Sequence, residues 1–219
     1  MKLCLPAIIG VLSISVIARG NAQGTFIDLD FEHPVTPLNP VNSLVPIADA
    51  LPGWTGESGT FNGNEVVYNT VSLGAAAISL QGPGSSEPIL QGSYSVGLQG
   101  SSASAPESAS IGQSGQIPSD VKSIIFFADS FSSFQVSFAG QPISLFKLGS
   151  TANYDVVAGD VSTFAGDTGL LAFTALPNNA GILDDIQFSP NLVPEPNIWS
   201  LILCGTAFFG VRRLKKGLA

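Results

Sequence analysis

The feature that most constrains this chain is the spacing of its apolar residues, which fall at every second position in short runs broken by turn residues about every ten positions. Alternation of this kind puts one face of a strand in a core and the other in water. In TFIDLDFE, Ile27, Leu29 and Phe31 alternate with Asp28, Asp30 and Glu32. In SYSVGL the core face is Tyr94, Val96 and Leu98. SIIFFA, residues 123–128, is apolar throughout and suits a strand covered on both faces. FQVSF directs Phe134, Val136 and Phe138 inward, turns at Ala139-Gly140-Gln141-Pro142 and returns as ISLFKL, a hairpin. LLAFTAL, a turn at Pro177-Asn178-Asn179-Ala180-Gly181 and ILDDIQF complete the series. No segment sustains a 3.6-residue period. The pattern predicts an all-β fold: roughly seven to ten short strands in a single β-sandwich. Pro34, Pro37, Pro40 and Pro46 predict an irregular loop over 33–53, and Gly/Ser-rich loops are expected at 82–86 and 101–110.

The two ends have a different composition. Residues 1–22 place Lys2 before an apolar stretch, Leu3 to Ala18, and a small-x-small site, Gly20-Asn21-Ala22, which is the order of a Sec signal peptide cleaved after Ala22. The sandwich is then residues 23–192. Both cysteines, Cys4 and Cys204, fall outside it, so neither a disulfide nor a thiolate metal site is available to the body. Of the 16 acids only Glu195 lies outside 23–192, and of the 8 bases only Lys122 and Lys147 lie inside. Fifteen acids against two bases give the body a net charge of −13, which excludes nucleic acid as a partner and favours solubility and divalent cations.

At the other end, Pro194-Glu195-Pro196 precedes a mainly apolar run, residues 198–211, and a basic tail over 212–216 carrying Arg212, Arg213, Lys215 and Lys216. Fourteen residues make a helix of about 21 Å, short against a hydrocarbon core of about 30 Å. Snorkelling cations and local thinning extend its reach. The cationic stop keeps the tail cytoplasmic and the body outside, in agreement with the signal peptide. The two prolines hold the chain extended at the membrane surface, where a processing enzyme can grip it.

Proline-glutamate-proline, transmembrane stretch and basic terminus in this order over 193–219 resemble the PEP-CTERM sorting signal. The resemblance implies export in a double-membrane bacterium, a transient inner-membrane anchor, processing by an exosortase-type enzyme, and release to the cell surface or extracellular matrix beside exopolysaccharide. A permanent single-pass anchor is the alternative. The body, with its opening DFE, PGW, SYSVGLQG and closing LDDIQF, resembles jelly-roll sandwiches of the galactose-binding-like and carbohydrate-binding-module type. In such sandwiches the first and last strands commonly lie together and a structural Ca²⁺ joins an acid near each end. The resemblance therefore implies Glu32 and Asp185 as calcium ligands, with Asp184 as the alternate, and no other cofactor.

Catalytic constellations are sparse. The only histidine, His33, adjoins Pro34, and no G-x-S-x-G motif exists, so neither a triad nor a zinc site is expected. Asp28, Asp30 and Glu32 would stand in a row on one strand face, as the carboxylates of some sandwich glycosidases do. Among the aromatics, Trp54 in LPGWTGE is the best candidate for a sugar platform. The expected function is that of an exported, non-enzymatic surface or matrix protein binding polysaccharide or calcium. The alternative is an exported glycan-active hydrolase using carboxylates.

Overall fold

The computed structural model describes residues 24–40, 42–58, 64–70, 74–102 and 106–192. The expected signal peptide and the sorting segment, with Pro194, Glu195, Pro196, Arg212, Arg213, Lys215 and Lys216, lie outside the described residues. Among the described residues, no helix is long and apolar enough to cross a membrane.

Two sheets face each other. The first draws on β1 (Leu44–Pro46), β3 (Glu65–Tyr68), β4 (Ala77–Gln81), β5 (Ser95–Gln99), β7 (Ser123–Ala128), β10 (Leu145–Ser150), β11 (Asp155–Asp160) and β13 (Ala180–Ser189), in the order β1-β3-β4-β5-β13-β7-β11-β10. The second uses β2 (Thr55–Ser58), β6 (Ala109–Gln116), β8 (Gln135–Phe138), β9 (Gln141–Ile143) and β12 (Thr168–Ala175), in the order β2-β6-β12-β8-β9. Among the described residues, helix is confined to α1 (Ile47–Ala50) and a 3₁₀ turn, Ser162–Phe164. The chain is therefore an all-β sandwich, as the alternation requires.

One core lies between the sheets. Ile78 and Leu80 of β4, Val96 and Leu98 of β5 and Ile124 and Phe126 of β7 meet Ile111 of β6 and Leu171 and Phe173 of β12. Phe126 and Phe173 cross the gap edge to face at 5.2 Å. In SIIFFA only one face is core: Ile125 and Phe127 are half-buried, and Phe127 stacks on Tyr154 at 4.2 Å. The hairpin forms where it is expected, with a two-residue tip in which Ala139 (φ 49°) and Gly140 (φ 77°) both take the left-handed conformation that matches strand twist. ISLFKL, however, divides: Ile143 ends β9 in the smaller sheet and Leu145 begins β10 in the larger one.

Three expectations are corrected. The segment 33–53 is not wholly irregular, since it contains β1 and α1. The Gly/Ser-rich stretch ends in β6, an interior strand, because its small residues admit large neighbours: a Cβ on Gly115 would stand 2.7 Å from the ring of Phe26. TFIDLDFE is not a strand. Asp28 (φ 48°) and Phe31 (φ 56°) break the alternation, so Phe26, Leu29 and Phe31 are buried while Ile27 is 53% exposed. A side chain supplies what a neighbouring strand would have given. The Ile27 amide donates to Gln113 Oε1 at 2.6 Å, and Gln113 Nε2 donates to the Ile27 carbonyl at 2.9 Å. Further on, the Ile186 amide donates to the Leu29 carbonyl at 2.9 Å, tying the opening segment to the last strand.

Because Phe173 is fully buried between the sheets, Phe173→Ala is expected to lower stability by about 3–5 kcal/mol. Equilibrium urea denaturation with an unchanged m-value measures it.

Candidate functional site

The last strand is irregular where its acids fall. β13 pairs with β7 as Leu183↔Ala128 and Asp184↔Phe127, then resumes at Gln187↔Ile125, so Asp185 and Ile186 together oppose Phe126. Asp185, at φ 47°, is the turned residue of this β-bulge. The extra residue returns Ile186 to the core after Leu183 and leaves both aspartates buried.

Asp184 is fully engaged. Its Oδ2 accepts hydrogen bonds from the Gln91 amide at 3.0 Å and Ser95 Oγ at 2.7 Å, and its Oδ1 accepts one from the Asp185 amide at 2.7 Å. Glu32 acts on the same loop, its Oε1 accepting from the amides of Ser93 at 2.8 Å and Tyr94 at 3.1 Å. Asp185 Oδ2 accepts from Gln187 Nε2 at 2.5 Å. Two acids expected as calcium ligands, Glu32 and Asp184, thus converge on residues 91–95 by binding protein N–H and O–H groups. These acids and Asp185 do not form a group with ligand spacing among the described residues. Asp28, Asp30 and His33 do.

In the opening segment the His33 amide donates to Asp28 Oδ1 at 3.1 Å, and His33 Nδ1 stands 3.2 Å from that oxygen and 3.4 Å from Asp30 Oδ1. The row of three carboxylates on one strand face is therefore absent: Asp28 turns inward, Asp30 faces His33 and Glu32 holds the 91–95 loop. Burial raises the Asp28 carboxyl above its ordinary value against the opposing bonds from His33. His33 is itself raised, first by its hydrogen bond to Asp28 and then by the charge of Asp30. The sequence signal for this cluster was D-x-D-x-x-H in DLDFEH, obscured by reading the segment as a strand.

Trp54 is not a platform. It is 3% exposed, donates Nε1–H to the Asp28 carbonyl at 3.0 Å and packs against Phe31 and Phe173 with centroids at 5.5 and 6.3 Å. The expectation that it binds sugar is corrected by this burial: both of its polar and apolar surfaces are used inside the fold.

A cleft of about 160 Å³ opens instead on the outer face of the larger sheet. Ile78, Leu80, Val96 and Leu98 face the core, so Ser79, Gln81 and Gly97 point the other way and make its floor. Glu87-Pro88 forms one wall and Asp129 another, with Gln99 beside them. The missing side chain at Gly97 makes room for the Ser79 hydroxyl, since a Cβ there would stand 2.4 Å from its Oγ. Gln81 is fixed by bonds from its Nε2 to Ser79 Oγ at 3.0 Å and the Thr70 carbonyl at 3.2 Å, and from Ser85 Oγ to its Oε1 at 2.6 Å. Burial raises the Asp129 carboxyl above the usual carboxylate range, although several backbone amides and Ser133 oppose it. A glycine inside an otherwise regular strand, Gly97 in SVGLQ, was the available sequence sign.

No family model and no curated protein matches the chain. Solved structures similar to it include a Stig cyclase, Fisc, from Fischerella sp. TAU in complex with (3Z)-3-(1-methyl-2-pyrrolidinylidene)-3H-indole, at 11% identity and a TM-score of 0.39, covering 75% of this chain and 95% of that one. An apo cyclase from Fischerella sp. is similar at 11% identity and a TM-score of 0.41, covering 78% and 97%. These neighbours are enzymes by name, against the expectation of a non-enzymatic chain, and that expectation is withdrawn. Similarity at this level assigns neither their reaction nor their ligand to this chain.

Asp184 is 1% exposed, and burial pushes its carboxyl up to about 7 despite the three donors, with the charge of Asp185 adding to the rise. The folded state then holds a proton that the unfolded chain, near 3.9, releases earlier. Stability should fall as pH rises from about 4 to about 7, by at most about 1.4 kcal/mol per pH unit from this group, and level off above that. Asp184→Asn should remove that component of the slope, as denaturation across the pH range would record.

Proposed function

We propose that the chain is an exported cell-surface or extracellular-matrix protein, directed to the Sec route by residues 1–22 and sorted by the PEP-CTERM-like segment 193–219, whose jelly-roll sandwich binds polysaccharide. The observation that supports binding is the cleft over Gly97, where an amide pair, Gln81 and Gln99, a hydroxyl, Ser79, and two carboxylates, Glu87 and Asp129, line one cavity. Such donors and acceptors suit the paired hydroxyls of a sugar ring, and a concave site with a few fixed polar groups is how small ligands are oriented. The charge of the body directs this preference toward neutral or cation-bridged glycans and away from polyanions.

A second reading, a glycan-active hydrolase, is favoured by the placement of two acids on the same cleft, one of them, Asp129, raised by burial. Two carboxyl groups flanking one site are the pairing that acid-assisted glycoside cleavage uses. Glu32, first considered for this role, belongs instead to the loop anchor.

Retention on immobilised polysaccharides, with reducing ends assayed in the same samples, separates the two. Binding is expected to weaken roughly 2- to 10-fold on Gln99→Ala, the range for one lost neutral hydrogen bond. Release of reducing ends that is abolished by Asp129→Asn would instead establish the hydrolase; unchanged retention in both variants removes the cleft from either role. Intact mass of protein from its host is expected to lack residues 1–22 and everything beyond the Pro194-Glu195-Pro196 triplet.

A further inference from the structure

We infer that Asp28, Asp30 and His33 form a binding site for one divalent transition-metal ion, Zn²⁺ being the type, on the surface beside Trp54. This site is separate from the cleft and from the acids that hold the 91–95 loop.

Geometry comes first. The three ligand atoms lie within 4.8 Å of one another, and the two separations from His33 Nδ1 are 3.2 and 3.4 Å. Ligands about 2.1 Å from a tetrahedral ion stand about 3.4 Å apart, so the side chains already hold two edges of such a polyhedron. A hydrogen bond accounts for the arrangement less well. Nδ1 carries at most one hydrogen and cannot point it squarely at two carboxylates at once.

The second observation is independent of those contacts. The Asp28 side chain is 3% exposed, and its Oδ2 is buried with no hydrogen-bond partner among the described residues. A buried carboxylate oxygen without a donor is costly, and the charge of a cation bound at the Asp28 carboxylate offsets that penalty. No described protein group does so. The same carboxylate thus presents one oxygen to His33 while its other oxygen is buried without a donor among the described residues.

The donor set selects the ion. Calcium and magnesium take oxygen ligands, whereas one imidazole nitrogen with two carboxylates suits zinc, manganese and their neighbours. Three protein ligands leave a position open, and His33, with its side chain 70% exposed, leaves that position facing solvent. The backbone beneath is tied down: the Asp28 carbonyl accepts from Trp54 Nε1 at 3.0 Å and the Leu29 carbonyl from the Ile186 amide at 2.9 Å. Preorganisation of this kind limits the ordering cost of binding.

The test is calorimetric titration of the full-length chain, purified in detergent without a polyhistidine tag and stripped with chelator, using Zn²⁺ and separately Ca²⁺. One saturable Zn²⁺ equivalent is expected, unaffected by an equal concentration of Ca²⁺. His33→Ala and Asp30→Asn, both at solvent-reached positions, should each weaken it by about 10- to 100-fold or more, since even outer-shell partners of a metal ligand matter that much. Because His33 is the only histidine, comparison with His33→Ala also removes any background from Cys4 and Cys204. Absence of saturable binding, Zn²⁺ affinity unchanged in both variants, or displacement by equimolar Ca²⁺ would each overturn the assignment. Asp28→Asn gives a second readout: the Zn²⁺-induced rise in melting temperature seen in the parent should vanish in this variant, and its persistence would count against Asp28 as a ligand.

Discussion

The ring of Phe173 touches Phe126 on the opposite sheet and Trp54 at its flank, and Trp54 in turn packs on Phe31, so a single aromatic seam joins both sheets to the opening segment. Nothing covalent assists it, since the body has no cysteine. Burial of apolar area, at about 25 cal/mol per Å², must therefore offset the chain entropy almost alone. The seam explains why Trp54 is spent on the interior. Its indole nitrogen holds the Asp28 carbonyl, and that bond fixes the turn in which Asp28, Asp30 and His33 meet. Packing in the core and the placement of charge at the surface thus have one cause.

What the sequence disclosed follows from where period-two alternation survives. Val96 and Leu98, the hairpin of Phe134, Val136 and Phe138, and the strand of LLAFTAL are regular enough for their faces to be read directly. Alternation misleads where hydrogen bonds come from side chains. In TFIDLDFE the spacing fits a strand, yet Gln113 takes the place of a neighbouring backbone and two residues adopt positive φ. Strand β6 was hidden for the opposite reason: ASIGQSGQ is rich in small residues that usually mark loops, and its value lies in the room it leaves for Phe26 and for Leu170.

The candidate sites were legible only in part. Glu32 and Asp184 could be singled out as acids near the ends that need an explanation, but their partners in the 91–95 loop, the amides of Gln91, Ser93 and Tyr94 and the hydroxyl of Ser95, are far away in sequence and without any motif. Trp54 was read by residue type, which does not report burial. The cleft depends on side chains from β4, β5 and β13 and two loops, a conjunction that only the sheet order brings about.

The position of β13 carries a consequence of its own. This strand is the last of the described residues to be synthesised, yet it occupies the middle of the larger sheet, hydrogen-bonded to β5 on one side and β7 on the other. A growing chain that has not reached residue 180 has two half-sheets, each with an unsatisfied edge of the kind that recruits stray strands. Closure of the fold is therefore deferred to the arrival of ten residues, and anything acting beyond Ser189 acts on a chain whose keystone has only just become available.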